Sequence, residues 1–241
     1  MSLSGKTVLI TGGGVRIGRS LAVAVARAGG DVVVHIGKSL KEAQSLQAEI
    51  ESIGRKLFIL QADLEDADQA TKLIARANKL APLFALVNNA SVFEPHGWDS
   101  TTLEDWNRAF AVNLTAPFLL SQAFARSLEP PCVGRIVNLL DWRALRPGAD
   151  HLAYTISNSG LAALTRSLAT ALAPRITVNG LALGAILPPS DGKPASVKMD
   201  QIPAGRWAHL EEVGQALVFF LDGPEYITGE ILHVDGGRHL T

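Results

Sequence analysis

One cysteine, Cys132, stands in 241 residues, so no intrachain disulfide can close and neither a CxxC pair nor a Cys/His zinc spacing exists. A disulfide-stapled scaffold is excluded, and a reducing, cytosolic setting is expected. An excess of one charge is also missing. Twenty-two Lys and Arg against 23 Asp and Glu leave a formal charge of -1, too balanced to draw the chain non-specifically onto nucleic acid or anionic lipid. No run approaches the ~18 apolar residues of a membrane span. The first residues pass from Met1 to the strand-like Thr7–Ile10 without a basic segment and a long apolar one, so no signal peptide is expected and the cytoplasm is the expected location. Six histidines are scattered without an i, i+4 pair, which makes a metal site unexpected. Among them His151 precedes Tyr154 closely and a part in the site is one reading, with a surface placement the expected one.

What is present is an ordinary globular mixture, 47% apolar and 19% charged, with enough chain for one α/β domain over 1–241. Short Val-, Ile- and Leu-rich runs near 6–11, 31–36, 57–61, 84–88, 134–140, 176–181 and 230–234 read as strands. They show little polar alternation, the mark of strands buried on both faces of a parallel sheet. Helical stretches fall between them, at 16–28, 40–53, 66–79, 102–127, 152–173 and 210–221, with Ser39 placed to cap the second and Gly54 to end it. The expected architecture is a doubly wound, three-layer α/β sandwich around a seven-stranded parallel sheet of Rossmann type. The one long irregular segment, 184–207, is rich in Pro, Gly and Ser and follows a strand end; a mobile substrate lid is expected there, a plain surface loop being the other reading.

The first strand runs into Thr11-Gly-Gly-Gly-Val-Arg-Ile-Gly18 and then a helix. Glycines let a backbone turn sharply and approach a pyrophosphate, while the free N–H groups of the helix start favour the anion. The common G-x-G-x-x-G spacing fails, since Ile17 occupies its third position; Gly12 and Gly18, six apart, remain. An NAD-binding chain usually places Asp or Glu at the end of the second strand to hold the ribose 2′-hydroxyl. Here that segment reads Val34-His-Ile-Gly-Lys-Ser39, and Arg16, Lys38 and the Ser39 hydroxyl can surround a 2′-phosphate. NADP(H) is expected over NAD(H), with solvated loop cations as the plainer reading.

Further pieces fall at successive strand ends: Asp63, Asn88-Asn89-Ala90-Ser91, Asn113 in the next helix, and Tyr154 opening a long one. With Thr11-Gly12 and Gly18 they resemble the short-chain dehydrogenase/reductase family over essentially the whole chain. Arg16 in the turn, the His35 to Ser39 segment and Phe93 after Asn-Asn-Ala-Ser narrow the resemblance to the pteridine reductases. It implies a cofactor site of Gly12, Arg16, Ile17, Gly18, His35, Lys38, Ser39, Asp63, Asn89, Ala90, Leu139 and Gly184. It also implies a substrate site of Ser91, Phe93, Asp141 and Tyr154, with the Phe93 ring stacked on a pterin. Without the resemblance, Phe93 reads equally as a core ring and Asp141 as a turn cap.

Most of the family has Ser thirteen residues before the catalytic Tyr; here that position is Asp141, as in pteridine reductases. The family's lysine, four residues after the Tyr, is replaced by Asn158. Reduction of a C=N bond needs hydride at carbon and a proton at nitrogen, and Tyr154 with Asp141 is the candidate relay, Asn113 holding a water or carbonyl within it. Asn158 can hydrogen-bond a ribose but carries no charge. Arg143 and Arg146 can supply the missing cation, hold a substrate carboxylate, or be exposed loop cations, and receive no catalytic role here.

The sequence therefore implies an NADPH-dependent reductase of a pteridine or dihydrofolate-type small molecule. A dinucleotide-binding protein with weakened chemistry, or a carbonyl reductase of the wider family, stands beside it. Small residues along 151–173 and the resemblance imply a homotetramer.

Overall fold

The computed structural model describes residues 3–188 and 199–241. Its strands are β1 Thr7–Thr11, β2 Asp31–Ile36, β3 Leu57–Gln61, β4 Ala85–Asn88, β5 Gly134–Asp141, β6 Ile176–Leu183 and β7 Ile231–Val234. They form one parallel sheet in the order β3-β2-β1-β4-β5-β6-β7. The helices are α1 Arg16–Arg27, α2 Leu40–Ser52, α3 Ala67–Asn78, α4 Leu103–Phe110, α5 Ala116–Ser127, α6 Leu152–Leu172 and α7 Leu210–Asp222. The doubly wound sandwich expected from the apolar runs is what forms.

β1 is buried at every position, as a central strand covered on both faces must be. Alternate side chains serve opposite layers. Val8 and Ile10 join Leu21 and Val25 of α1, Leu46 of α2 and Leu217 of α7, whereas Leu9 joins Leu73 of α3 and Leu120 and Phe124 of α5. Each fully buried leucine contributes about 1.5–3 kcal/mol through removal of apolar surface from water. A smaller cluster of Leu140, Leu161, Ala162, Ala182 and Ile231 seats α6 on β5 to β7, behind the catalytic candidates.

Local chemistry sets the helix ends. Asp66 accepts from the N–H groups of Asp68 and Gln69 to start α3, and Thr102 and Asp105 form a reciprocal box at the start of α4. Ser39 stands at the expected cap position of α2 but makes no side-chain cap bond. The expected helix at 102–127 is interrupted by a π-helical segment, Ala111–Thr115, because the side chain of Asn113 is drawn into the loop beside it. Of the expected lid at 184–207, residues 189–198 lie outside the described residues; Met199–Gln201 forms a short 3-10 turn.

The strand order reverses between β1 and β4, so their connections diverge to opposite faces and leave a crevice at the carboxyl ends. Open α/β sheets bind ligands at such a switch point.

Candidate active site

The crevice begins where β1 ends. The Thr11 hydroxyl accepts from the N–H groups of Asn89 (2.9 Å) and Ala90 (3.0 Å), and the Asn89 amide donates to the Thr11 carbonyl at 2.8 Å. These bonds lock the turn after β1 to the loop after β4. His35 braces the turn from behind: its Nδ1 accepts from the Gly12 N–H at 3.2 Å, so Nε2 carries the proton and donates to the Ala62 carbonyl at 3.1 Å. Burial pushes this imidazole below its usual value and keeps it neutral. His35 is 3% exposed, so it supports the turn as a wedge.

A Cβ on Gly18 would lie 2.2 Å from the Gly12 carbonyl oxygen, so only glycine lets α1 start this close to the turn. Arg16 holds a left-handed backbone, φ 52°, at the place where most relatives in the resemblance carry glycine, and its guanidinium donates to the Pro188 carbonyl at 2.8 Å. The helix start has no side-chain cap and no acidic residue in its first turn. With no side-chain cap among the described residues, this helix start is suited to an anion.

A cleft of about 1100 Å³ opens here. Of the residues expected at the cofactor, Gly12, Arg16, Ile17, Gly18, His35, Lys38, Asp63, Asn89 and Ala90 line it, as does Ser91. Ser39, Leu139 and Gly184 do not. Gly184 has another reason to be glycine, since a Cβ there would meet the Asp235 backbone at 2.6 Å. The cleft also takes in residues the sequence reading passed over: Gln69, Arg76, Arg108 and Val112. Arg76 reaches it from the last turn of α3, where it donates to the Gln61 carbonyl. Arg108 crosses its mouth, donating to Glu65 at 2.7 Å and Glu94 at 3.2 Å. Neither arginine lies in a motif, and only the fold brings them in.

A second group of side chains gathers around the end of β5; of the residues expected at the substrate, Ser91 lines the cleft, whereas Phe93, Asp141 and Tyr154 do not. The Tyr154 hydroxyl donates to Asp141 Oδ2 at 3.3 Å. Asp141 Oδ1 accepts the Arg143 N–H at 2.9 Å. Asn158, 3% exposed, joins the two elements: its Oδ1 accepts the Asp141 N–H and its Nδ2 donates to the Tyr154 carbonyl, both at 3.1 Å. Asn113 is equally committed. Its oxygen accepts from Ser91 Oγ and the Val92 N–H, and its nitrogen donates to the Val92 carbonyl and Ser157 Oγ. It fixes the loop carrying Ser91 and Phe93 against α6, which is the hydrogen-bonding reason a buried asparagine there requires.

Phe93 is half exposed, its ring perpendicular to that of Tyr154 at 4.6 Å and stacked on His151 at 4.0 Å. His151 is thus part of the site, which corrects its expected surface placement; it donates from Nδ1 to the Glu94 carbonyl and starts α6 with φ 52°. Arg143 also belongs here, while Arg146 is exposed.

Burial raises the Asp141 carboxyl from its ordinary value, against the Arg143 contacts and the Tyr154 hydrogen bond, which pull the other way. Burial, then the Asp141 charge, push the Tyr154 hydroxyl well above its ordinary value, against the pull of Arg143. Both groups are biased toward keeping their protons.

A parallel sheet with a glycine turn at its switch point defines a dinucleotide-binding α/β protein. Comparison with known proteins gives the family. The model for short chain dehydrogenases matches residues 6–196. A 3-oxoacyl-[acyl-carrier-protein] reductase of Synechocystis is 31% identical, with 98% of each chain covered. A 2-dehydro-3-deoxy-D-gluconate 5-dehydrogenase of Bacillus subtilis is 33% identical, covering 98% of this chain and 95% of the relative. Among solved structures, FolM alternative dihydrofolate reductase 1 from Brucella canis, complexed with NADP, superimposes with a TM-score of 0.91 at 33% identity, covering 100% of this chain and 97% of that one. The chain belongs to the short-chain dehydrogenase/reductase family and is an oxidoreductase.

Proposed function

We propose that this protein is an NADPH-dependent reductase that delivers hydride and a proton to the C=N bond of a pteridine or dihydrofolate-type substrate. The observation that carries the reading is the Tyr154–Asp141 pair, a hydroxyl on a carboxyl at 3.3 Å, set beside the half-exposed Phe93 ring.

The residues of the cleft fit a phosphorylated dinucleotide. The Gly12–Gly18 turn leaves a backbone cradle that a Cβ at Gly18 would fill, and the uncapped start of α1 offers N–H groups to a pyrophosphate. Arg16, Lys38 and Arg76 supply positive charge where a 2′-phosphate would need it, and no carboxylate stands at the end of β2 to favour a bare ribose. NADPH, when bound, supplies the hydride. The NADP-bound FolM structure, so similar in fold, supports both the cofactor and the substrate class.

The protein's own part is positioning and proton supply. Asn113 holds the Ser91–Phe93 loop, the half-exposed Phe93 ring, one face of which is stacked on His151, leaves apolar surface for a flat heterocycle, and Asn158 fixes the backbones of Asp141 and Tyr154. Burial favours the protonated form of the Asp141 carboxyl, and in that form it can donate to a ring nitrogen, directly or by replenishing the tyrosine hydroxyl.

The test is steady-state NADPH oxidation with dihydrobiopterin and dihydrofolate, beside 3-oxoacyl and sugar-acid substrates. Turnover confined to the pterin class is expected, with a Phe93→Ala loss largest for those substrates. A second reading rests on Asn158, whose neutral amide is engaged at both ends: a family member that binds NADPH with little turnover. Tight NADPH binding with no turnover on any substrate selects it. A homotetramer and a cytoplasmic location complete the proposal, the first supported by the family resemblance and the second by the single cysteine.

A further inference from the structure

We propose that Arg143 is the positioning residue of the Asp141–Tyr154 pair: it presents one carboxyl oxygen to the tyrosine and sets how readily the pair yields its proton. The inference rests on reading that pair as the proton donor, and it goes beyond that reading by assigning the cation that governs it.

Arg143 lies on the 3-10 turn Trp142–Ala144 that follows β5, and its side chain is only 16% exposed. It grips Asp141 Oδ1 twice, through its backbone N–H at 2.9 Å and through Nη1 at 3.5 Å. Oδ2 is left for the Tyr154 hydroxyl. The guanidinium is itself anchored: Nη2 bonds Asp150 Oδ2 at 3.1 Å, and the group lies over the Trp142 ring at 5.3 Å. A cation held between two carboxylates is shared by them, so Asp141 receives only part of its stabilisation.

The other groups facing Asp141 come from each neighbouring element. α6 contributes Tyr154 and the neutral Asn158, β6 pairs the apolar Leu183 with it, and the loop before α6 brings Asp150 with His151 3.8 Å beyond. The C-terminal turn places Arg238 on the Trp142 ring at 4.5 Å, with Asp235 near it. Of these cations Arg143 is the one in ion-pair contact with the carboxyl among the described residues. Its removal therefore favours protonated Asp141, and removal of Asp150 frees Arg143 to favour the ionised form.

A readout independent of turnover is available because the chain has two tyrosines and one of them, Tyr226, is fully exposed. In a Tyr226→Phe background, tyrosine labelled at Cζ gives a single resonance, that of Tyr154, whose shift follows protonation of the carboxyl it bonds. Arg143→Met should raise the midpoint by about one pH unit or more, the size expected for loss of a contacting opposite charge. Arg143→Lys should keep it within about half of that change, and Asp150→Asn should lower it. The alkaline limb of NADPH oxidation should move in the same direction in each variant. Circular dichroism checks that each variant is folded; if Arg143→Met is not, Arg143→Lys and Asp150→Asn still decide. A midpoint unmoved in Arg143→Met, or unmoved in Asp150→Asn, overturns the proposal and leaves Arg143 a brace. Absence of pterin turnover in the parent would defeat the proposed substrate class alone, since the resonance reports on the pair in any case.

Discussion

Asn158 offers the sharpest test of how this site is built. In the family resemblance a lysine belongs there, so on the reading of weakened chemistry Asn158→Lys should confer activity. The structure argues the reverse. Asn158 is 3% exposed, and its two ends do different work: the oxygen accepts the Asp141 N–H and the nitrogen donates to the Tyr154 carbonyl. An ammonium can replace the second bond but cannot accept, so the Asp141 N–H is left without a partner at a cost of about 1–3 kcal/mol. For a chain of this size each kcal/mol lowers the melting temperature by about 2–4 °C, so a fall of several degrees is expected in thermal denaturation. The new charge beside Asp141 also favours its ionised form, so the alkaline limb of NADPH oxidation should move to lower pH. Asn158→Ala separates the two effects, because it loses both hydrogen bonds without adding charge: it should be destabilised as well, with the alkaline limb set by Arg143 as before. An Asn158→Lys protein as stable as the parent and more active would refute the argument, since the two hydrogen bonds could then not be what holds Asp141 and Tyr154 together.

Gly18→Ala places a Cβ 2.2 Å from the Gly12 carbonyl oxygen, so the turn must open, and NADPH affinity measured by fluorescence titration should fall at least about tenfold, or 1.4 kcal/mol; unchanged affinity would remove the turn from the cofactor site. Arg16→Gly relieves a left-handed backbone at φ 52° and should raise stability by about 1 kcal/mol in chemical denaturation, while NADPH binding weakens through loss of the guanidinium; a destabilised variant would count against strain at this position.

The architecture was legible because its signals are local and repeated. Uninterrupted apolar runs such as Val32–Val34 and Ile136–Val137 can be satisfied only between two helical layers, and their spacing located every strand to within two residues. The glycine turn was legible for the same reason. What the sequence hid depends on contacts between distant segments. Arg76 and Arg108 carry no motif and enter the cleft only because α3 and α4 present them there. The break of the helix at Asn113 comes from Val92 and Ser157, residues 21 and 44 positions away. His151 looked like a loop histidine until Phe93 packed against it. Asn158 looked like the loss of a charge, yet its neighbours use it as a hydrogen-bonding bridge that only an amide of that length completes.

The state of the Asp141–Tyr154 pair also bears on the direction of the reaction. Oxidation of an alcohol or amine requires a base to take a proton, and in a tyrosine-centred site that base is a phenolate. Here burial and the neighbouring carboxylate both oppose the phenolate, and Arg143, which favours it, is shared with Asp150. Reduction needs a donor instead, and burial shifts the Asp141 carboxyl in the direction that favours its proton-bearing, donating form. The sign follows: with Asp141 protonated the pair can supply its proton, and as pH rises through the raised carboxyl value that proton is lost and the reductive rate falls by about tenfold for each pH unit. Asp141→Asn removes the titrating group, so a lower but flat rate across that window is expected. Oxidation of the reduced product by NADP should show the opposite profile, slow at neutral pH and climbing toward alkaline pH as the tyrosine ionises. A forward rate that instead rises with pH through the window, or an Asp141→Asn variant that keeps the parent's limb, would mean that the proton comes from another group and that the carboxyl serves only to seat the tyrosine.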